Sequence, residues 1–228
     1  MVFISPSDYI ALPVIEAGER EIDFKYGRAD LRPPDDQKAS SSVGFGLGVN
    51  EHWFTELYVK WEQNSTQGQH FDALEWENRF LLTEPGSYPF DLGLITEIER
   101  PKDRTDGYEV SVGPLFQTKI DRWQLNANLK LTRSFKADQD VVPQLGYQFQ
   151  VKYRLGPLFE PGIQALGQVG DATHWSPVNQ QANTLGPAAF GVFHLGDAEK
   201  IRYNAAWLFG LTEGSPKNTF RIQIEYEF

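Results

Sequence analysis

The chain has no cysteine, and its single methionine is residue 1 of 228. Without thiols there is neither a disulfide framework nor a thiolate metal site. Long apolar runs are missing too. The longest, Ala205 to Leu211, falls far short of the roughly 20 residues a spanning helix needs, so a helical membrane protein is excluded. Basic residues are scarce, 21 Lys and Arg against 31 Asp and Glu, for a net charge of −10. The resulting pI near 4.9 argues against a nucleic-acid binder, which shows a basic face. With 40% hydrophobic and 23% charged residues the chain is not disordered. The opening MVFISPSD lacks the basic start and apolar stretch of a signal peptide. Either the protein is cytosolic or a leader has been removed.

What the sequence does have is alternation. Phe220, Ile222, Ile224, Tyr226 and Phe228 share one parity, and Arg221, Gln223, Glu225 and Glu227 the other. Leu145 through Leu155 and Trp123 through Leu131 alternate as cleanly. Period two is a strand signal, because successive side chains point to opposite faces. The pattern predicts about twelve strands, over 19–28, 41–50, 52–63, 71–83, 88–100, 107–119, 122–135, 144–155, 158–170, 183–195, 200–212 and 218–228. Short turns fall near 50–51, 84–88, 120–121, 156–157 and 196–199. Longer polar links fall near 29–40, 64–70, 101–106, 136–143, 171–182 and 213–217. An up-and-down meander puts the two kinds at opposite ends.

A soluble barrel would bury the apolar parity. Three features favour the inverse, apolar outward into lipid. The strands, at about 10–13 residues, suit a tilted crossing of the hydrocarbon layer. Aromatics gather towards strand ends (Trp53, Trp61, Phe90, Tyr108, Trp123, Phe135, Phe159, Phe193, Phe220 and Phe228), as interfacial girdles require. An even strand count with unequal loops completes the pattern, and closure leaves no unpaired backbone in lipid. The ending RIQIEYEF, closing on Phe228, resembles the C-terminal assembly signal of Gram-negative outer-membrane β-barrel proteins. The opening YIALPVIEAGEREIDFKYG is similar to the first strand of outer-membrane proteins of phenol-degradation pathways. The resemblance implies an all-β, up-and-down antiparallel transmembrane barrel over 1–228, with 1–18 a periplasmic extension and a leader removed.

The inward parity is charged. Strands 3 to 6 project Glu56, Lys60, Glu62, Glu75, Glu77, Arg79, Asp91, Glu97, Glu99, Glu109 and Lys119. Strands 7, 8, 11 and 12 project Lys130, Lys152, Arg154, Arg202, Arg221 and Glu225 among many amides. One wall is acidic and the other mixed to basic, with Glu62, Glu75, Glu77, Glu97, Glu99 and Glu109 expected in the outer half. Two readings follow: a narrow pore with a transverse field favouring cations, or a lumen filled by side chains that pair across it. Inward glycines (Gly44, Gly46, Gly48, Gly93, Gly113 and Gly146) suggest space or strand curvature.

No catalytic constellation stands out. The four histidines, His52, His70, His174 and His194, lack metal-ligand spacing. His174 with Ser176, and His70 with Ser65 or Asp72, are the nearest material for a lipid hydrolase. Asp35, Asp36, Asp103, Asp106, Asp138 and Asp140 lack EF-hand spacing and read as solvated loop charge. Arg28, Arg32, Lys102 and Arg104 suit lipopolysaccharide phosphates. The expectation is a monomeric outer-membrane channel for passive diffusion of small solutes, without cofactor or metal and with membrane lipid and lipopolysaccharide as neighbours. The alternatives are a closed barrel with a structural, partner-binding or lipid-hydrolase role, and a transporter of apolar or aromatic compounds. The last would use an apolar pocket near Trp61, Phe71 or Trp175 and a lateral exit beside Pro114, Pro161 or Pro187.

Overall fold

The computed structural model describes residues 4–33, 36–84, 86–196 and 199–228. Its twelve strands are β1 (Arg20–Asp30), β2 (Gln37–Asn50), β3 (Trp53–Asn64), β4 (His70–Leu81), β5 (Phe90–Pro101), β6 (Tyr108–Ile120), β7 (Trp123–Phe135), β8 (Gln144–Tyr153), β9 (Glu160–Asp171), β10 (Ala182–His194), β11 (Lys200–Gly210) and β12 (Asn218–Glu227). Each pairs antiparallel with its sequence neighbours, and β1 pairs with β12 from Glu21↔Glu227 to Asp30↔Asn218, closing the barrel. The alternation therefore located all twelve strands to within a few residues. The largest shift is the start of β2, which begins four residues early because Gln37 to Ser40 continue the ladder with Asp30 to Gly27.

The unequal ends are present but less marked than expected. Two-residue turns join β2 to β3 and β6 to β7, while 82–89 makes a longer connection at the same end. Asp121 adopts φ 53 in the β6–β7 turn, the left-handed conformation that tight hairpins demand and Asp tolerates.

Apolar side chains face outward around the whole barrel, among them Phe45, Leu57, Leu74, Trp76, Leu129, Ile163 and Phe209. Aromatic rings contact one another at the short-turn end, across strands in Trp53–Phe80, Phe90–Phe116, Trp123–Tyr153 and Phe193–Tyr203, and along the chain in Tyr88–Phe90 and Tyr226–Phe228. One belt is thus a row of ring contacts, as expected where amphipathic rings sit at a lipid–water boundary. In water this surface would be an apolar patch far beyond what a monomer tolerates.

The N-terminal residues depart from the expectation of a periplasmic extension. Residues 4–17 run inside the barrel from the long-loop end to the short-turn end. Ile10, Ala11, Pro13 and Ile15 are buried there, and the chain leaves through Gly18, at φ 81, to start β1. Physically, the inward parity is not uniformly polar. Phe54, Leu81, Ile95, Leu115, Leu166, Phe190 and Leu208 also point inward and are nearly fully buried. They form three apolar clusters, and each contains a residue of the segment: Ile10, Ala11 or Ile15. Glycine permits the close approach, since a Cβ on Gly27 would overlap the Pro6 carbonyl and one on Gly48 the Glu16 carbonyl.

A charge on the outer face tests which solvent it meets. Leu57, 63% exposed on β3, should tolerate arginine in a water-facing wall. In lipid, Leu57→Arg should cost about 2–4 kcal/mol, read as a lower urea midpoint for the protein folded in vesicles.

Candidate functional site

The lumen has three levels. At the long-loop end lies a cavity of about 830 Å³. Lys60, Glu62, Glu75, Glu97, Glu99, Glu109 and Lys130 line it, so seven of the inward residues expected from sequence meet in one vestibule. Nine carboxylates face three lysines there. The lysines are already engaged: Lys38 with Glu62 at 2.8 Å, Lys130 with Glu97 at 2.6 Å, and Lys60 with both Glu75, at 3.1 Å, and Glu99. Asp8, Asp72, Asp106, Glu109 and Asp138 have no ion pair among the described residues, so the vestibule keeps an uncompensated negative field. Asp8 lines both the vestibule and, with Tyr9, an adjoining void of about 30 Å³, room for about one water.

The middle level is where the N-terminal segment is held. The Tyr9 hydroxyl donates to Glu77, its oxygens 2.6 and 2.7 Å away. Lys25 Nζ lies between two rings, 3.4 Å from the Tyr9 centroid and 3.7 Å from that of Tyr58. It also pairs with Asp23 at 3.3 Å, which accepts from the Tyr58 hydroxyl at 2.8 Å. Arg79 contacts Glu77 at 3.3 Å, stacks on Phe54 and reaches the Leu12 carbonyl. Asn128 donates to the Ala11 carbonyl at 2.9 Å. Nearer the long loops, Ser40 accepts from the Ser7 amide at 2.9 Å. Glu77, expected in the outer half, belongs to this deeper level because β4 descends from His70 and residue 77 is past its midpoint. Glu56 sits beside it, 1% exposed, both oxygens without a hydrogen-bond partner among the described residues.

The short-turn level is closed by amides and ion pairs. Gln117 donates to Asp91, Gln124 and Asn126 donate to Gln117, Gln150 to Asn126, and Gln164 to Gln150 and Asn204. This chain spans β5 to β11. Lys152 and Arg154 both pair with Glu160, and Arg202 pairs with Glu227 at 2.5 Å. Gln223 donates to Glu225, and Lys119 is exposed at the rim. Arg221, by contrast, is buried on β12 near the long-loop end, against Ile4, Ser5 and Pro6. The expected opposition of an acidic and a basic wall is therefore corrected. Lys130 reaches back to the acidic wall, and Lys152 and Arg202 are neutralised by their next strand, which leaves β7–β11 to amides and apolar residues. Glu16, at the foot of the segment, meets Lys200 at 2.9 Å and Arg202 at 3.2 Å. The Lys200 hydrogen bond holds its carboxyl below the usual range.

The other candidates stay apart. His70 bonds the Gly68 carbonyl and His174 bonds Thr173, so neither is held against a serine. Trp61 lines the polar vestibule while Trp175 is 64% exposed. Arg32 is tied to the Thr212 and Ser215 carbonyls, and Asp103 caps Thr105. Asp35 lies outside the described residues. The β6–β7 ladder skips Gly113 and Pro114, and β10–β11 skips Gly186 and Pro187, without the strands parting.

Removing the Tyr9 hydroxyl isolates one contact. A hydrogen bond to a charged, buried acceptor contributes about 1.5–3 kcal/mol. Tyr9→Phe should therefore speed amide hydrogen exchange across residues 4–17 by roughly ten- to a hundredfold and leave the strands unchanged.

No family model matches the chain, and no curated protein matches it in sequence. Among solved structures it is similar to the COG4313 outer membrane channel from Pseudomonas putida F1, with TM-score 0.64, 14% identity and 98% of each chain covered. It is also similar to KdgM porin, with TM-score 0.61, 10% identity, and 91% of this chain and 99% of that one covered. NanC porin matches with TM-score 0.61, 10% identity, and 91% and 100% covered. At these identities the likeness establishes the fold, that of outer-membrane β-barrels.

Proposed function

We propose that the protein is an outer-membrane channel for passive uptake of small polar solutes, prefers cations, and is held closed by its own residues 4–17. The observation that carries this reading is the acidic vestibule, open at the long-loop end and floored by a chain segment rather than by barrel-wall side chains alone. A solute entering past the loops meets carboxylates that have no ion pair. Passage requires the segment to shift, because the level below is filled by it and by the amide chain. Vestibule and segment are one device, since Asp8 belongs to both. The porin names of the similar structures support a channel, and nothing in them reaches the solute of this one. The long-loop end faces outward in this reading, where Arg28, Lys102 and Arg104 meet lipopolysaccharide. Phe228 is the terminal residue of an assembly signal, and the barrel works as a monomer. A pocket for aromatic compounds finds less support, because Trp61 stands among carboxylates.

Planar-bilayer conductance tests the reading. The intact protein should give small or rare steps, and a variant lacking residues 1–17 frequent, larger ones. A silent deletion variant, with insertion shown by protease protection, would sink the channel. Asp72→Asn with Glu109→Gln removes two free carboxylates and leaves every lysine paired. Its reversal potential in a KCl gradient should move towards zero, and an unmoved potential would remove the vestibule as the selectivity element.

A further inference from the structure

At the short-turn end three carboxylates converge from three parts of the chain. Glu19 lies where the luminal segment turns into the wall, Glu21 on β1 and Glu227 on β12, with one oxygen of each within 4.8 Å of the others. Glu21 and Glu227 are neighbours across the seam that closes the barrel. We propose that these three side chains form a site for a hard divalent cation, Ca²⁺ in the first instance, which fastens the foot of the luminal segment to the seam.

The acids alone do not carry this; their unmet valence does. Glu21 is 4% exposed and accepts no hydrogen bond among the described residues. Its nearest cation is Arg79, 3.7 Å away and shared with Glu77. Glu19 has no cation within 4.0 Å among the described residues. A carboxylate so buried and so weakly compensated is costly, and three together repel unless a proton or a metal sits among them. Glu227 is the one with partners, Lys200 at 2.6 Å and Arg202 at 2.5 Å, yet its Oε1 accepts no hydrogen bond of good geometry. Both cations also touch Glu16, at 2.9 and 3.2 Å. Glu227 can therefore turn an oxygen to a metal while Lys200 and Arg202 keep a counter-charge. All three donors are carboxylate oxygens, the preference of Ca²⁺, whose remaining positions water fills. Glu19 is partly exposed, which provides the entrance.

Such a site is independent of conduction through the barrel. Its test uses the full chain, folded in detergent and stripped with EDTA, titrated with CaCl₂ by calorimetry. One saturable equivalent is expected, with a higher Tm and slower hydrogen exchange over residues 4–17. Glu19→Gln, outside any strand, should weaken binding at least tenfold and abolish the exchange effect, and Glu227→Gln should do the same. Heat-modifiable migration on gels checks that each variant is folded. The Asp72→Asn, Glu109→Gln variant should bind as the parent does. No saturable binding by the parent would overturn the site and assign the cluster to a shared proton. Binding that survives Glu19→Gln and Glu227→Gln but falls in the vestibule variant would overturn it in favour of the vestibule.

Discussion

The charged side chains that these strands turn inward must be satisfied inside the barrel, because the outside is largely apolar. That constraint shapes the rest of the molecule. Water satisfies ions on the surface of a soluble protein; here Lys60, Lys130, Arg79 and Arg202 find carboxylates within the lumen instead. Where the strands provide amides, the amides bond one another in a chain from Asp91 to Asn204. Neither solution fills a twelve-strand cross-section, which is wider than the eight-strand barrels that side chains fill by themselves.

The N-terminal segment completes the interior. It brings apolar side chains to the inward Phe54, Ile95 and Leu166, a hydroxyl to Glu77 and backbone carbonyls to Asn128 and Arg79. In this it behaves as a core element of a soluble domain does, burying apolar area while its own polar groups are met. Its hold is distributed over clusters, hydrogen bonds and a terminal ion pair, so no single contact accounts for the closed lumen. The vestibule above it is the part of the interior that nothing fills, and it is also where carboxylates outnumber cations.

The strands were legible because period two survives wherever one face meets lipid and the other water or charge. Pro161 and Pro187 interrupt the parity in β9 and β10 without hiding either strand, since their neighbours keep it. The inward placement of the charged residues followed from the same parity. The segment was not legible for the same reason: residues 4–17 have no period, carry Pro6 and Pro13, and read as a tail. The signal that locates them lies elsewhere, in Phe54, Leu81, Ile95, Leu115, Leu166, Phe190 and Leu208 on a parity that should be polar. An inward apolar side chain needs an apolar partner in the lumen, and only chain outside the barrel wall can provide one. Pairing was equally hidden. Parity places Lys130 inward but cannot reveal that it reaches Glu97 two strands away.

The two ends of the segment face different chemistry. Its upper end, Ser5 to Tyr9, borders the solute-accessible vestibule and is held by neutral hydrogen bonds and the Tyr9–Glu77 contact. At its foot, next to the Gly18 turn, Glu16 is held by Lys200 and Arg202 near the barrel seam. Under the proposed function a solute in the vestibule would act on the upper end, whereas cations on the other side would act on the foot. Because Gly18 is the point where the segment becomes β1, ions that fix Glu19 restrain the turn about which the rest must move. If the segment moves as proposed, opening from above would be easiest when the foot is least restrained, and the fourteen residues from 4 to 17 would couple the two sides of the membrane.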